Sequence, residues 1–306
     1  MSHAIGMDIG GTKTLLGIIR DDGRIEAQVK MPTAPQDGFD AAVRRFSGAI
    51  RGLLGQTNLR VADLAGIGIG CPGPLNPFTG VINNDYTLPS WGGCNIVKAL
   101  SGEFGIPVRL ENDADAALLG EACAGAGRGA GNLVMLTFGT GVGGAVLNHG
   151  EIYRGAAGEH PEIGHVPIDP GGPTCYCGLN GCLESLASGS AIAEAGKRAG
   201  FADSQEVFAK VLARDGRAMR ILARAVRACA TGLWTIIHTF LPDRLILGGG
   251  IMQAHYELFE PAMLEVIKRA KLGPSTGMQL CKATLENDAG LVGAGFLMMQ
   301  SKPASK

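Results

Sequence analysis

An α/β chain of two lobes, each built on one strand–turn–strand scheme, is the fold class the sequence predicts, and three observations predict it. At 306 residues the chain is long for a single hydrophobic core. An apolar strand, a Gly-rich turn and a second apolar strand occur twice, in "IGMDIGGTKTLLGII" and in "LVMLTFGTGVGGAVL", the self-similarity expected of a duplicated lobe. A third Gly cluster, in "PDRLILGGGIM", ends a short apolar strand that follows a helical segment. A Gly-rich turn after a parallel strand is a usual place for a nucleotide.

Bulk composition narrows the function classes. Hydrophobic residues make up 46% and charged residues 18%, which excludes a disordered or highly charged chain. A net charge of -1 leaves no electrostatic footprint for nucleic acid or an anionic membrane. No apolar run approaches the ~18 residues of a membrane span, and "MSHAIGMDIGG" lacks the layout of a signal peptide, so a cytoplasmic location is expected. The 48 glycines gather in short turns, as they would where backbone approaches a ligand.

Taken in order, the first scheme reads as a strand ending near Asp8, a tight turn at Gly10-Gly11, a second strand, a turn at Asp21-Asp22-Gly23 and a third strand "RIEAQVK". Small residues at Gly10-Gly11 let main-chain N–H groups reach an anion, with Thr12 and Lys13 adding a hydroxyl and a charge. Val43, Phe46, Ile50 and Leu53 recur at helical spacing in "AAVRRFSGAIRGLL", which is core packing. In "LENDADAALLGEA" a strand gives way to a helix at Asn112-Asp113, residue types that often cap helices. The second scheme repeats the first, with turns at Gly139-Thr140-Gly141 and Asn148-His149-Gly150. "AVRACATGLWTIIHTFL" reads as a helix and "LILGGG" as the strand and turn after it, ending at Gly248-Gly249-Gly250. "DAGLVGAGFLMMQ", with small residues on one face, reads as a close-packed final helix.

Cysteine usage singles out one loop. Cys71, Cys94, Cys123, Cys229 and Cys281 are isolated among apolar or small residues and read as buried thiols. Cys175, Cys177 and Cys182 are clustered, and without a signal peptide clustering favours a metal over disulfides. Three thiolates need one more nitrogen or sulfur to make a tetrahedral zinc site. His165 is the nearest credible fourth ligand, and His160 competes with it. Pro170, Gly171, Gly172 and Pro173 supply the turn such a site requires.

Together "DIGGTKT", "LENDADAA", "FGTGVGGA", "PEIGH", "CYCGLNGCLE" and "LILGGGI" resemble the ROK family of repressors, open reading frames and sugar kinases, nearly end to end. The resemblance implies a two-lobed actin-like or hexokinase-like ATPase fold with duplicated ribonuclease-H-like sheets. One lobe would hold residues 1–116 with the final helix, about 290–306, packing back on it; the other would hold 117–289 and a zinc-containing sugar-site loop.

The resemblance also implies roles. Asp8 would hold magnesium, and Gly10, Gly11, Thr12 and Lys13 would line the nucleotide phosphates. Thr140 and Gly141 would form the tip of a second phosphate loop, and Gly249 and Gly250 the adenosine-side turn. Asn112 would bind sugar and Asp113 would be both sugar contact and catalytic base. Glu162, His165 and Glu184 would contact the sugar, while His165, Cys175, Cys177 and Cys182 would hold a structural zinc. ATP and Mg2+ are then the expected cofactors beside zinc, a hexose the expected substrate, and a homodimer is consistent with a family that often dimerises.

The expected activity is ATP-dependent phosphorylation of a hexose, glucose before fructose or an N-acetylhexosamine. Two features qualify the sugar. "NNDYTLPSW" places Thr87 where glucokinases of the family carry asparagine before Leu-Pro, leaving Asn83 and Asn84 as replacements, and "HPEIGH" resembles some fructokinases of the family. A sugar-responsive regulator is the less favoured alternative, because the first phosphate loop starts at Asp8 and leaves no room before it for a helix-turn-helix. A zinc-stabilised sugar-binding protein without catalysis would not need Asp8, Asp113 and three glycine turns.

Overall fold

The computed structural model describes residues 2–270 and 277–299. The chain divides into two compact units, residues 1–129 with 151–161 and 284–306, and residues 130–150 with 162–283.

In the first unit, β1 (His3–Ile9), β2 (Lys13–Arg20) and β3 (Ile25–Pro32) form the expected antiparallel meander. After α1 (Phe39–Thr57) the chain enters β4 (Leu64–Cys71), parallel to β1. A small sheet follows, of β5 (Leu75–Asn76), β6 (Val81–Ile82) and β7 (Cys94–Asn95). Then come α2 (Ile96–Phe104), β8 (Val108–Asn112) parallel to β4, and α3 (Asp113–Ala124). The main sheet runs β3-β2-β1-β4-β8. One core joins Ile5, Met7, Ile9, Leu16 and Ile18 to Phe46, Ile50 and Leu53 of α1, as the helical spacing predicts, with Val43 packed at its edge.

In the second unit, β9 (Leu133–Phe138) and β10 (Val142–Asn148) are antiparallel. The chain leaves through β11 (Glu151–Ile152) and returns to α4 (Leu183–Ala187), α5 (Gly189–Arg198), α6 (Ser204–Leu212) and α7 (Gly216–Phe240). β12 (Arg244–Gly248), α8 (Gly250–Arg269) and β13 (Gln279–Lys282) complete the unit, with β12 parallel to both β9 and β13. The order β10-β9-β12-β13 repeats β2-β1-β4-β8 in order and sense, so the duplication read in the glycine turns is a duplication of sheets.

The expected break at residue 116 would cut α3, and the structure corrects it. α3 packs within the first unit against α9 (Ala289–Phe296). The physical reason is closeness of backbones: a Cβ on Gly120 would run into the Ala289 carbonyl, and one on Gly293 into the Ala116 carbonyl. Gly6 and Gly68 give the sheet the same flat face, where side chains would strike the carbonyls of Leu291 and Ala294. The small-residue helix expected at the C-terminus is therefore α9, and residues 300–306 lie outside the described residues.

Candidate functional site

The residues singled out in the sequence fall into two groups, one in each unit. Asp8, Gly10, Gly11, Thr12, Lys13, Asn112 and Asp113 belong to the first. Thr140, Gly141, Glu162, His165, Cys175, Cys177, Cys182, Glu184, Gly249 and Gly250 belong to the second.

In the first unit the turn after β1 is closed by the Gly10 N–H donating to the Lys13 carbonyl at 2.9 Å. Thr33 locks it from below: its hydroxyl donates to the Gly10 carbonyl at 2.6 Å, its N–H to the Thr12 carbonyl at 3.0 Å, and Thr14 Oγ1 lies 2.8 Å from Thr33 Oγ1. Both threonines are buried; sequence reasoning missed them because they sit in strand-like runs that read as ordinary sheet. A Cβ at Gly11 would come within 2.7 Å of the Thr87 methyl group. Thr87 therefore abuts the phosphate-type turn. Asn84 is buried and both ends of its amide are used: Nδ2 donates to the carbonyls of Pro72 and Gly73, and Oδ1 accepts the Thr87 N–H at 2.8 Å. It clips the loop together, which removes it as a replacement sugar contact, while Asn83 is exposed.

β8 delivers Asn112 to the head of α3, where Asn112 is the N-cap, its Oδ1 accepting the N–H groups of Ala114 (2.8 Å) and Asp115 (3.4 Å). The cap reading and the site reading thus share one residue. Asp113 Oδ1 accepts the Ala114 N–H at 2.9 Å. Burial pushes the Asp8 carboxyl up to about 6, the Asp113 carboxylate adds to the rise, and Lys13 opposes it. A desolvated carboxylate with a second negative charge near it is a place where a hard dication is stabilising, with Asp8 as the donor.

Asp115 is a further carboxylate of this group that sequence reasoning missed. It is 1% exposed, neither oxygen meets a hydrogen-bond donor of the protein, and burial raises its pKa from 3.8 to about 7, with His160 lowering it and Asp113 raising it. A raised carboxylate pKa means that the native state holds the extra proton between those two values, so stability falls as pH rises through that window. Asp115→Asn removes the titration. Its stability relative to the parent should therefore increase by about 2–3 kcal/mol between pH 5 and pH 8; denaturant unfolding at the two pH values tests this, and a pH-independent difference would refute it.

In the second unit, Gly139 and Thr140 offer their carbonyls to the N–H groups of Gly189 (2.7 Å) and Ser190 (3.2 Å), so the turn rests on the start of α5. Glu184 on α4 accepts the Val142 N–H at 2.8 Å, and a side chain at Gly141 would collide with its carboxylate. The Glu184 carboxylate also acts on the Tyr176 hydroxyl, which desolvation and that carboxylate push up to about 12. The residue expected to touch sugar thus ties the second Gly turn to the cysteine loop. Glu162 occupies the position before a short 3-10 turn, Ile163–His165, and its carbonyl accepts the His165 N–H at 2.9 Å. Gly249, at φ 84 and packed on the Phe138 backbone, is the N-cap of α8, and Gly250 opens that helix.

The ligand atoms of His165, Cys175, Cys177 and Cys182 all lie within 4.8 Å of one another. His165 Nδ1 is 3.5 Å from Cys175 Sγ, and Cys177 Sγ is 3.6 Å from Cys182 Sγ. Tetrahedral zinc bonds of roughly 2.3 Å to sulfur and 2.0–2.1 Å to nitrogen imply edges of about 3.6–3.8 Å, so the four residues fit that metal. Burial, reinforced by the neighbouring thiols, pushes Cys182 up to about 12, a position that a dication reverses. His160 lies outside the cluster, which resolves the two-histidine alternative in favour of His165. Tyr176 sets its edge against the His165 ring, with centroids 5.0 Å apart.

Among the described residues, no helix is long and apolar enough to cross a membrane. Comparison with known proteins gives a consistent result. The ROK family model matches residues 4–301. A glucokinase of Thermotoga maritima is 34% identical, over 97% of each chain. The crystal structure of a ROK hexokinase from Thermus thermophilus is 33% identical at a TM-score of 0.86, covering 97% of this chain and 99% of that one. A ROK glucokinase from Streptomyces griseus, solved with glucose and AMPPNP, is 28% identical at a TM-score of 0.76, covering 98% and 100%. The architecture is the actin-like ATPase-type α/β fold of these structures.

Proposed function

The chain belongs to the ROK family, and from that premise we propose that it is an ATP-dependent hexose kinase that phosphorylates glucose on its 6-hydroxyl. The observation that carries the reading is the pairing of Asp8 with Asp113: a carboxylate beside a phosphate-type turn, electrically coupled to a carboxylate at the head of a capped helix.

Asp113 takes the proton of the sugar hydroxyl as its oxygen bonds to the γ-phosphorus, and the bond from that phosphorus to the bridging oxygen of ADP breaks. Asn112 holds a neighbouring hydroxyl. Gly10, Gly11, Thr12 and Lys13 of the first Gly turn and Thr140 and Gly141 of the second are the phosphate contacts. Gly249 and Gly250 border the adenosine. Asp8 would hold Mg2+, which supplies neutralisation of the phosphate charge. Glu162 and Glu184 accept sugar hydroxyls, for which charged acceptors are strong partners, while the Nε2–H of His165 donates to a sugar oxygen. His165 can give Nδ1 to zinc and keep Nε2 for the sugar; the zinc, held with Cys175, Cys177 and Cys182, supplies rigidity to this loop.

A second reading, fructokinase, is favoured by one observation, the His160-Pro161-Glu162 stretch. A coupled ADP-release assay with glucose, fructose, mannose, allose, N-acetylglucosamine and N-acetylmannosamine decides between them. Glucose is expected to show the highest kcat/KM. Fructose in first place would replace the substrate and keep the chemistry, whereas no ADP release with any sugar would overturn the kinase reading.

A further inference from the structure

Glu111, the last residue of β8 before Asn112, is 2% exposed, which an ionised carboxylate tolerates only when paired and hydrogen-bonded. Its Oε1 accepts the Asn112 N–H at 3.0 Å, and its Oε2 meets the guanidinium of Arg154. Arg154 is itself 25% exposed. It lies on the segment 151–161, which stands in sequence between two stretches of the second unit and packs in the first. The same segment carries His160, whose charge acts on Asp115. Two buried carboxylates that flank Asn112-Asp113 in sequence thus each answer to a basic residue of one segment. A buried ion pair adds little net stability over apolar side chains of the same volume, so its presence one step before the candidate base calls for a positional explanation.

We propose that Arg154 is a positioning residue for phosphoryl transfer: by holding Glu111 it fixes the Asn112 peptide, and with it the direction in which the head of α3 presents the Asp113 carboxylate. The proposal rests on the reading of Asp113 as the base. No proton or bond is exchanged by Arg154 itself. Its effect is on alignment, where a displacement of about 1 Å can cost on the order of a hundredfold in rate.

The test is a double-mutant cycle with glucose phosphorylation as the readout. Arg154→Met is expected to lower kcat by about ten- to a hundredfold while the KM for Mg-ATP stays within about twofold, and Arg154→Lys should recover part of the loss. In an Asp113→Asn background Arg154→Met should cost little more, because no base is left to aim. Full multiplication of the two losses, or near-parental kcat in Arg154→Met, would overturn the proposal. If Arg154→Met does not fold, the Arg154→Met/Glu111→Gln pair, which strands no charge, should fold and remain slow; parental turnover there would equally overturn it. Asp113→Asn alone separates the two ideas. If it retains turnover the base assignment fails, whereas an inactive Asp113→Asn beside an active Arg154→Met fails only the role of Arg154.

Discussion

Asp113→Asn should fold normally, bind glucose, and turn over about 10²–10⁴-fold more slowly than the parent, the range that general-base assistance supplies. The fold should survive because the local bonds do not need the charge. Asparagine Oδ1 can accept the Ala114 N–H as Asp113 does at 2.9 Å, and the cap on α3 comes from Asn112. Loss of a negative charge in the first helical turn costs only about 0.3–1 kcal/mol. Catalysis should not survive, because an amide cannot take the proton of the attacking hydroxyl. A second readout follows from the coupling of the two carboxylates. With Asp113 neutral, one cause of the high Asp8 pKa disappears, so Asp8 should ionise below its present value of about 6. Mg-ATP binding near pH 6 should then hold or tighten. Turnover within about threefold of the parent would remove Asp113 as the base.

Cys175→Ser should abolish a tightly bound zinc, present at about one per chain in the parent, and lower the unfolding temperature by about 5–15 °C. The four ligand atoms converge within 4.8 Å, and serine supplies a poor ligand in place of a thiolate. The rest of the second unit keeps its own core of β9, β10, β12 and the helices around α7, so partial loss of stability is expected, in contrast to a small finger that unfolds outright. Sugar affinity should fall by at least about tenfold, since His165, Tyr176 and Glu184 are all arranged by this loop. Nucleotide affinity should change less. Glu184 does reach the Val142 N–H after the second Gly turn, so a small effect on nucleotide is expected through that bond, while the turn at Gly10–Lys13 lies in the other unit. Metal analysis together with calorimetry on chelator-treated protein tests this. A stripped protein with full sugar affinity would detach the zinc from the pocket, and zinc-free protein purified without chelators would reject the metal site.

Local pattern carried much of the architecture, and particular residues show where it ran out. The meander around Gly10-Gly11, its copy around Gly139–Gly141 and the strand ending at Gly248 were legible because turn chemistry and apolar runs are written in neighbouring residues. The cysteine loop was legible as a metal site for the same reason. What could not be read there was the fourth ligand: His165 is nearer the thiols in sequence but His160 stands only five residues further off, and only the fold sets His165 Nδ1 3.5 Å from Cys175 Sγ. Asn84 looked like a sugar contact because its type suits one, yet its amide is consumed by Pro72, Gly73 and Thr87. Thr33 was invisible for the opposite reason, since a threonine at the end of a strand announces nothing, and its bonds to Gly10 and Thr12 span more than twenty positions.

By itself, then, the sequence determined the duplicated α/β plan, the three glycine turns, and the chemical types gathered at Asp8, Asn112-Asp113 and Cys175–Cys182, because each depends on residues close together in the chain. Only the tertiary structure decided which unit holds α3, which histidine joins the thiols, that Glu184 links the cysteine loop to the Gly141 turn, and that Arg154 lies on the buried Glu111. The reason is one of range. Turn, cap and strand preferences act over a few residues, whereas the partner of a buried charge and the closeness of two glycine-faced helices depend on segments that meet only when the sheets have packed.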